Sequence, residues 1–308
     1  MINRNLIRIR TVQIVYSWYQ NTNKDLQNAE KDLLQGLQKS YDLYYYLLLL
    51  MVEITRTYEN RVETKRNKFL PSEEDLNPNT RLIENKFAAQ LSENKQLAKY
   101  LGERPMSWKE NEGFVKNLLD DILASETYRE YAVNADTSYA VDREFWRKIF
   151  KQHIYTNETL DDLLEEESIY WNDDVEVVQT FVLKTIKQFS EKAGAEQALL
   201  PMFKSNEDKD FALKLLHDTI LNEKKYRKLI EDYTDKWDFD RIAFMDMIIM
   251  QVALAEINTF SSIPTNVSLN EYIEIAKSYS TPKSGTFVNG ILDAIVAHLR
   301  KENIIFKN

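Results

Sequence analysis

The chain has 308 residues, enough for one large domain or two ordinary ones, with room for a substantial core either way. Its 40 Lys and Arg against 49 Asp and Glu give a net charge of −9, which excludes nucleic-acid binding driven by overall charge and leaves only a local basic patch to do that work. The absence of cysteine excludes disulfides, thiolate zinc sites and cysteine nucleophiles and fits a reducing compartment, while only six Gly and six Pro favour helix over sheet and turn.

The opening twenty residues hold Arg4, Arg8 and Arg10 and no acid. In a helix over 9–20, Ile9, Val12, Val15, Tyr16 and Tyr19 share one side and Arg10, Gln13, Ser17 and Gln20 another. Residues 1–8 read as a flexible arm leading into it. Arginine suits RNA because its planar fork pairs with phosphate and stacks on unpaired bases, for which Tyr16 and Trp18 offer further faces. Three arginines can also simply keep an exposed terminus soluble.

A long helix or helical pair spans Asp25 to about Lys68, with Leu33, Leu34, Leu37, Tyr41, Tyr44, Leu48, Met51 and Val52 on a repeating face. Tyr44, Tyr45 and Tyr46 read as core and core margin, since consecutive helix positions point apart. Lys65, Arg66 and Lys68 form a short basic cluster. The longest uncharged apolar run, Leu43 to Val52, is too short to cross a bilayer, and the N-terminus carries no signal-peptide core, so the protein is expected in the cytoplasm with no membrane partner.

Pro71 to Asn79 is the clearest loop. Helical signals follow over 81–101, 112–131, 143–150 and 175–192, with Gly194 and Pro201 bracketing the next connection. Asp161-Asp162, Glu165 to Glu167 and Asp173-Asp174 make an acidic tract with no histidine or glycine-turned loop beside it. It reads as a solvated helix face or a surface for a basic partner, not a metal site. His153, His217 and His298 lack a Ser or Asp partner pattern, so no catalytic residue, metal or cofactor is expected.

From Trp237 to Leu299 the pattern is two helices joined by a Pro-containing turn, then a third behind Ser280-Thr281-Pro282-Lys283-Ser284. Met245, Ile248, Ile249, Val252 and Leu254 to Ile257 place the first of these inside the core until Ile263-Pro264 stops it. Ser268-Leu269-Asn270-Glu271 has the form of a capping box, predicting a helix over 271–279. Pro282 suits the first turn of the last helix, which turns Phe287, Val288, Ile291, Leu292 and Ile295 inward. Asn289 is either a surface contact or a buried amide, and Gly290 reads as a site of close helix approach.

Asp240-Arg241, Ala253-Leu254-Ala255-Glu256-Ile257, Ile263-Pro264, Val267 to Glu271, Glu274 to Lys277 and Phe287 to Asp293 resemble, in order and spacing, the C-terminal half of the NusB family of transcription antitermination factors. Phe211, Leu215-Leu216, Thr219, Asn222 and Ile230 extend that pattern backwards. The opening, with Arg8, Val12-Gln13, Val15-Tyr16, Ser17 and Trp18, is similar to the family's arginine-rich N-terminal segment, although Leu6, Ile7 and Ile9 thin the arginine run.

The resemblance implies an all-α, non-catalytic protein: a compact NusB-like bundle made of an arginine-bearing segment over 1–60 and a C-terminal subdomain over 205–308, with a large helical insertion over 61–204. It implies binding to boxA-type ribosomal RNA leader sequence together with the small-subunit ribosomal protein NusE, and entry into the RNA polymerase elongation complex. RNA contact carries over most directly to Arg8, Gln13 and Tyr16. Arg4 and Arg10 join by proximity, and Asn266 and Lys283 are loop positions able to meet phosphate. Two other readings exist. A helical protein-interaction scaffold with weakened RNA binding fits the acidic balance and the thinned arginines. An RNA methyltransferase role would need a Gly-rich strand-to-helix loop and a cysteine that the chain lacks.

Overall fold

The computed structural model describes residues 1–155, 157–234 and 242–302. Trp237, Asp240 and Arg241 lie outside the described residues. The helices in chain order are α1 Arg4–Gln20, α2 Leu26–Arg66, α3 Glu73–Leu76, α4 Lys86–Ser92, α5 Lys95–Glu103, α6 Glu112–Ala124, α7 Glu126–Ala132 and α8 Tyr139–Ile149. There follow α9 Glu158–Glu167, α10 Val175–Gln188, α11 Asn206–Leu221, α12 Glu223–Thr234, α13 Phe244–Thr259, α14 Thr265–Tyr279 and α15 Ser284–Lys301. The fold is all-α. The described residues contain no strand beyond an isolated bridge from Ile2 to Phe203, and no helix long and apolar enough to cross a membrane.

The chain forms two compact units. One comprises Ile2–Gln38 with Phe203–Asn308, the other Met1 with Lys39–Met202. The division falls inside α2, a single uninterrupted helix, and so no loop or change of composition at residue 60 marks it.

In the first unit α13 is the centre: every residue from Asp246 to Ile257 is buried, which an almost wholly apolar helix requires. α13 packs against α1, α11, α12, α14 and α15. It ends at Thr259, short of Ile263-Pro264, where the Phe260 N–H bonds the Glu256 carbonyl.

Pro264 instead stands at the start of α14, whose first turn begins at Thr265. Ser268 is therefore inside the helix and not its cap; its hydroxyl is buried and turned to Glu256. Proline costs nothing at a helix start, where its missing N–H would be unpaired anyway. Pro282 lies just before α15, and close approach occurs at Gly285, where a Cβ would meet Lys277 Cγ at 2.7 Å. Gly290 is exposed with open space beside it, and Asn289 is exposed too.

No flexible arm precedes α1. Asn3 caps the helix, its side-chain oxygen accepting from the Leu6 N–H at 2.9 Å, and Ile2, Leu6 and Ile7 are buried. The apolar residues that interrupt the arginine run are what anchor it.

In the second unit the tyrosines of α2 are core. Tyr45 stacks on Tyr100 and Tyr46 on Trp108, and the Tyr44 hydroxyl meets Thr185 at 2.6 Å. The helix expected over 81–101 is broken into α4 and α5 by Asn85 and Asn94, each of which caps the helix that follows. Ser125 likewise splits 112–131 into α6 and α7. α8 begins at Tyr139 and runs on into a π-turn, Phe150–Ile154. The loop after Pro71 contains α3, closed by a Ser72–Asp75 capping box.

Candidate nucleic-acid interface

α1 carries the candidate residues, and burial sorts them. Arg8 and Arg10 are buried, at 4% and 5% exposure. Arg8 Nε and Nη2 donate to the two carboxylate oxygens of Glu256, both at 2.8 Å, and Nη1 lies 3.4 Å from Glu271. The Glu256 oxygens also accept from the Ser268 hydroxyl at 2.7 Å and the Tyr272 hydroxyl at 2.9 Å. Desolvation pulls the Arg8 pKa down, but the hydrogen bond and charge of Glu256, helped by Tyr272 and Glu271, outweigh it and the net shift is upward. Arg8 therefore ties α1 to α13 and α14. Arg10 Nη1 donates to Gln13 Oε1 at 2.7 Å, steadying a half-buried amide at the edge of the helix.

Arg4 is more open: its guanidinium stands over the Phe211 ring at 5.1 Å and 3.8 Å from Asp208. Tyr16 is 39% exposed and Phe244, from the start of α13, is 41% exposed, with ring centroids 5.6 Å apart. Tyr19 closes on the same Phe244 ring edge-on and donates to Gln251 at 2.6 Å. Burial pushes the Tyr19 hydroxyl pKa up to about 12. Lys24 lies 5.0 Å over the Tyr19 ring. The outcome is an open aromatic face beside a cation, which is the chemistry of a base-stacking platform. Asn266 and Lys283 are exposed at the start of α14 and at the cap of α15.

Phe244 and Lys24 were not singled out in the sequence, and Tyr19 was placed only on the apolar side of its helix, because nothing in a local pattern tells an exposed aromatic at a helix start from a core one. Glu256 did leave a signal. A carboxylate in the middle of Ala253 to Ile257, an otherwise apolar stretch, has to find a buried cation.

The NusB family model matches residues 173–297. The transcription antitermination protein NusB of Salinibacter ruber is 39% identical over 132 residues, covering 41% of this chain and 82% of that protein. The chain belongs to the NusB family.

Two further NusB proteins are similar over shorter spans. That of Chloroherpeton thalassium is 40% identical over 100 residues, 32% of this chain and 47% of that protein; that of Thermodesulfovibrio yellowstonii is 37% identical over 115 residues, 37% and 72%. No solved structure matches the chain. The NusB match begins at 173 and so takes in α10, which the sequence reading assigned to the insertion. Glu256, Ser268 and Tyr272 fall within the NusB-matched span, whereas α1 lies before it.

Proposed function

We propose that the protein is a non-catalytic transcription antitermination factor of the cytoplasm, which binds boxA-type RNA together with NusE and joins the RNA polymerase elongation complex. Similarity to proteins named as transcription antitermination proteins supports the role, and the observation that carries the RNA reading is the exposed Tyr16–Phe244 pair on α1 and α13. In this reading Tyr16 stacks an unpaired base, Gln13 and Arg4 meet the strand along α1, and Asn266 and Lys283 supply outlying polar contacts. Arg8 acts from beneath by fixing α1, because its guanidinium is bound to both carboxylate oxygens of Glu256 and reaching a phosphate would break that buried pair, and Arg10, buried and bonded to Gln13, steadies the helix beside it. The test is fluorescence anisotropy with a boxA strand and a scrambled control, with and without NusE. Partner-enhanced preference for boxA is expected; equal binding of both strands, or none, removes the reading.

A further inference from the structure

We infer that the second unit carries an RNA contact of its own: a basic groove between α2 and α6 that follows a single strand by its phosphates, ending at an exposed aromatic. The groove has a volume of about 550 Å³ and is lined by Arg56, Arg61 and Lys65 from α2 and by Lys109 and Lys116 from across it. Five cations there face two lining carboxylates, Glu53 and Glu112, in a chain whose net charge is −9. Both carboxylates are tied in short-range helix pairs, Glu53 with Arg56 and Glu112 with Lys116. Such exposed pairs are weak and yield readily to a phosphate. Arg61 is paired with Asp120, and Lys109 acts through space on Glu112.

The geometry suits an extended strand. Arg56 to Lys65 spans nine residues of one helix, about 14 Å at the helical rise. Thr57 and Asn60 lie between the cations and offer a hydroxyl and an amide, while the Thr64 hydroxyl donates to the Asn60 carbonyl. Glu59 points away from the middle of this face, while Glu63, two turns on from Arg56, borders it. Just beyond Lys65 the helix ends, and Phe69 follows at 98% exposure. A large aromatic so placed is costly to leave in water and provides a π-face for any base. A basic groove with an exposed aromatic four residues past its last α2 lysine is the pattern of sequence-tolerant single-strand binding. An acidic protein segment would use the same charge, and the test below separates the two.

The test titrates the full chain with labelled oligouridine across a range of salt. Each phosphate-binding cation on a single strand contributes about 0.7 to the log–log salt slope. The variant with Arg61→Gln, Lys65→Gln and Lys109→Gln should therefore show a slope shallower by about 2. Phe69→Ala should weaken binding roughly ten-fold with the slope unchanged. A Lys65→Glu, Lys109→Glu variant that melts like the parent yet loses oligouridine guards against a folding artefact. Unchanged slope and affinity in the groove variants would overturn the inference, and so would capture of poly-glutamate in place of RNA. Loss of boxA preference in Tyr16→Ala, with oligouridine retained, would leave both readings standing. RNA binding abolished by α1 variants and untouched by groove variants would sink the groove alone, and no binding to any strand would sink both.

Discussion

Arg8 and Glu256, 248 positions apart, meet in a two-pronged buried pair with both donor–acceptor distances at 2.8 Å and the Glu256 side chain fully out of solvent. Ser268 and Tyr272 complete the carboxylate's shell, so no lone pair is left facing the apolar core. Removing one partner strands a charge. Arg8→Met or Glu256→Leu alone should cost about 3–5 kcal/mol, while the double replacement should recover much of it, because the desolvation of both charges is then avoided. Urea unfolding of the three variants measures this. Additive losses in the double variant would show that the pair is not the unit argued for.

The same pair bears on RNA. If Arg8 works by holding α1 in place, Arg8→Lys should lower stability through loss of the bidentate fork and leave the salt slope for boxA RNA as it was. Arg4→Ala should leave stability nearly intact and reduce the slope by about 0.7. A shallower slope in Arg8→Lys with unchanged stability would put its guanidinium on the phosphate instead.

Tyr16→Ala should weaken boxA binding by about 1–3 kcal/mol, the worth of one stacked base. Its ring is open at the surface and lies against Phe244, so the loss of stability should stay near 1 kcal/mol. Comparing anisotropy with thermal melts separates the two. Equal affinity in wild type and variant would move the strand elsewhere on the protein.

Alkaline stability follows from the tyrosines. Burial pushes Tyr19 and Tyr46 up to about 12, and burial followed by the charge of Glu256 lifts Tyr272 well above its usual value. Their folded pKa values exceed the unfolded value near 10, so their contribution is whole below that pH and is lost as pH rises through the folded values. The melting temperature should hold to about pH 10 and fall steeply toward pH 12. A flat profile across that window would contradict the burial described here.

In the second unit, Asp142 is fully buried and accepts from Arg81 at 2.7 Å, the Lys86 backbone N–H at 2.8 Å and the Tyr131 hydroxyl at 2.9 Å. Asp142→Ala takes the adjoining carboxylate from the buried Arg81 guanidinium, and should cost about 3–5 kcal/mol by urea unfolding. A loss below 1 kcal/mol would mean that Arg81 finds water readily.

Helix content, the long α2 and the wholly buried α13 were legible in the sequence, because each rests on a repeating apolar face or on the absence of breakers. The motifs of the last third, from Ala253 to Asp293, were enough to point to the family, since their order and spacing are properties of the chain itself. Local chemistry misled where two partners compete for one side chain. Ser268 carries the pattern of a helix cap, yet its hydroxyl goes to Glu256, a stronger acceptor that only folding brings near. Asn85, Asn94 and Ser125 did cap helices, but capping residues inside a continuous apolar pattern do not announce a break.

By itself, then, the sequence determined the all-α class, the family and the position of α1 as a basic, aromatic-rich helix. Tertiary structure decided which of its arginines face solvent. Arg4, Arg8 and Arg10 are chemically identical and closely spaced, and what separates them is the field they fold into: Arg8 lies against a buried carboxylate 248 residues away, Arg4 over an aromatic ring near the surface. A charge is held in the core only where an opposite charge is already placed to meet it, and that placement is a long-range property no local pattern contains.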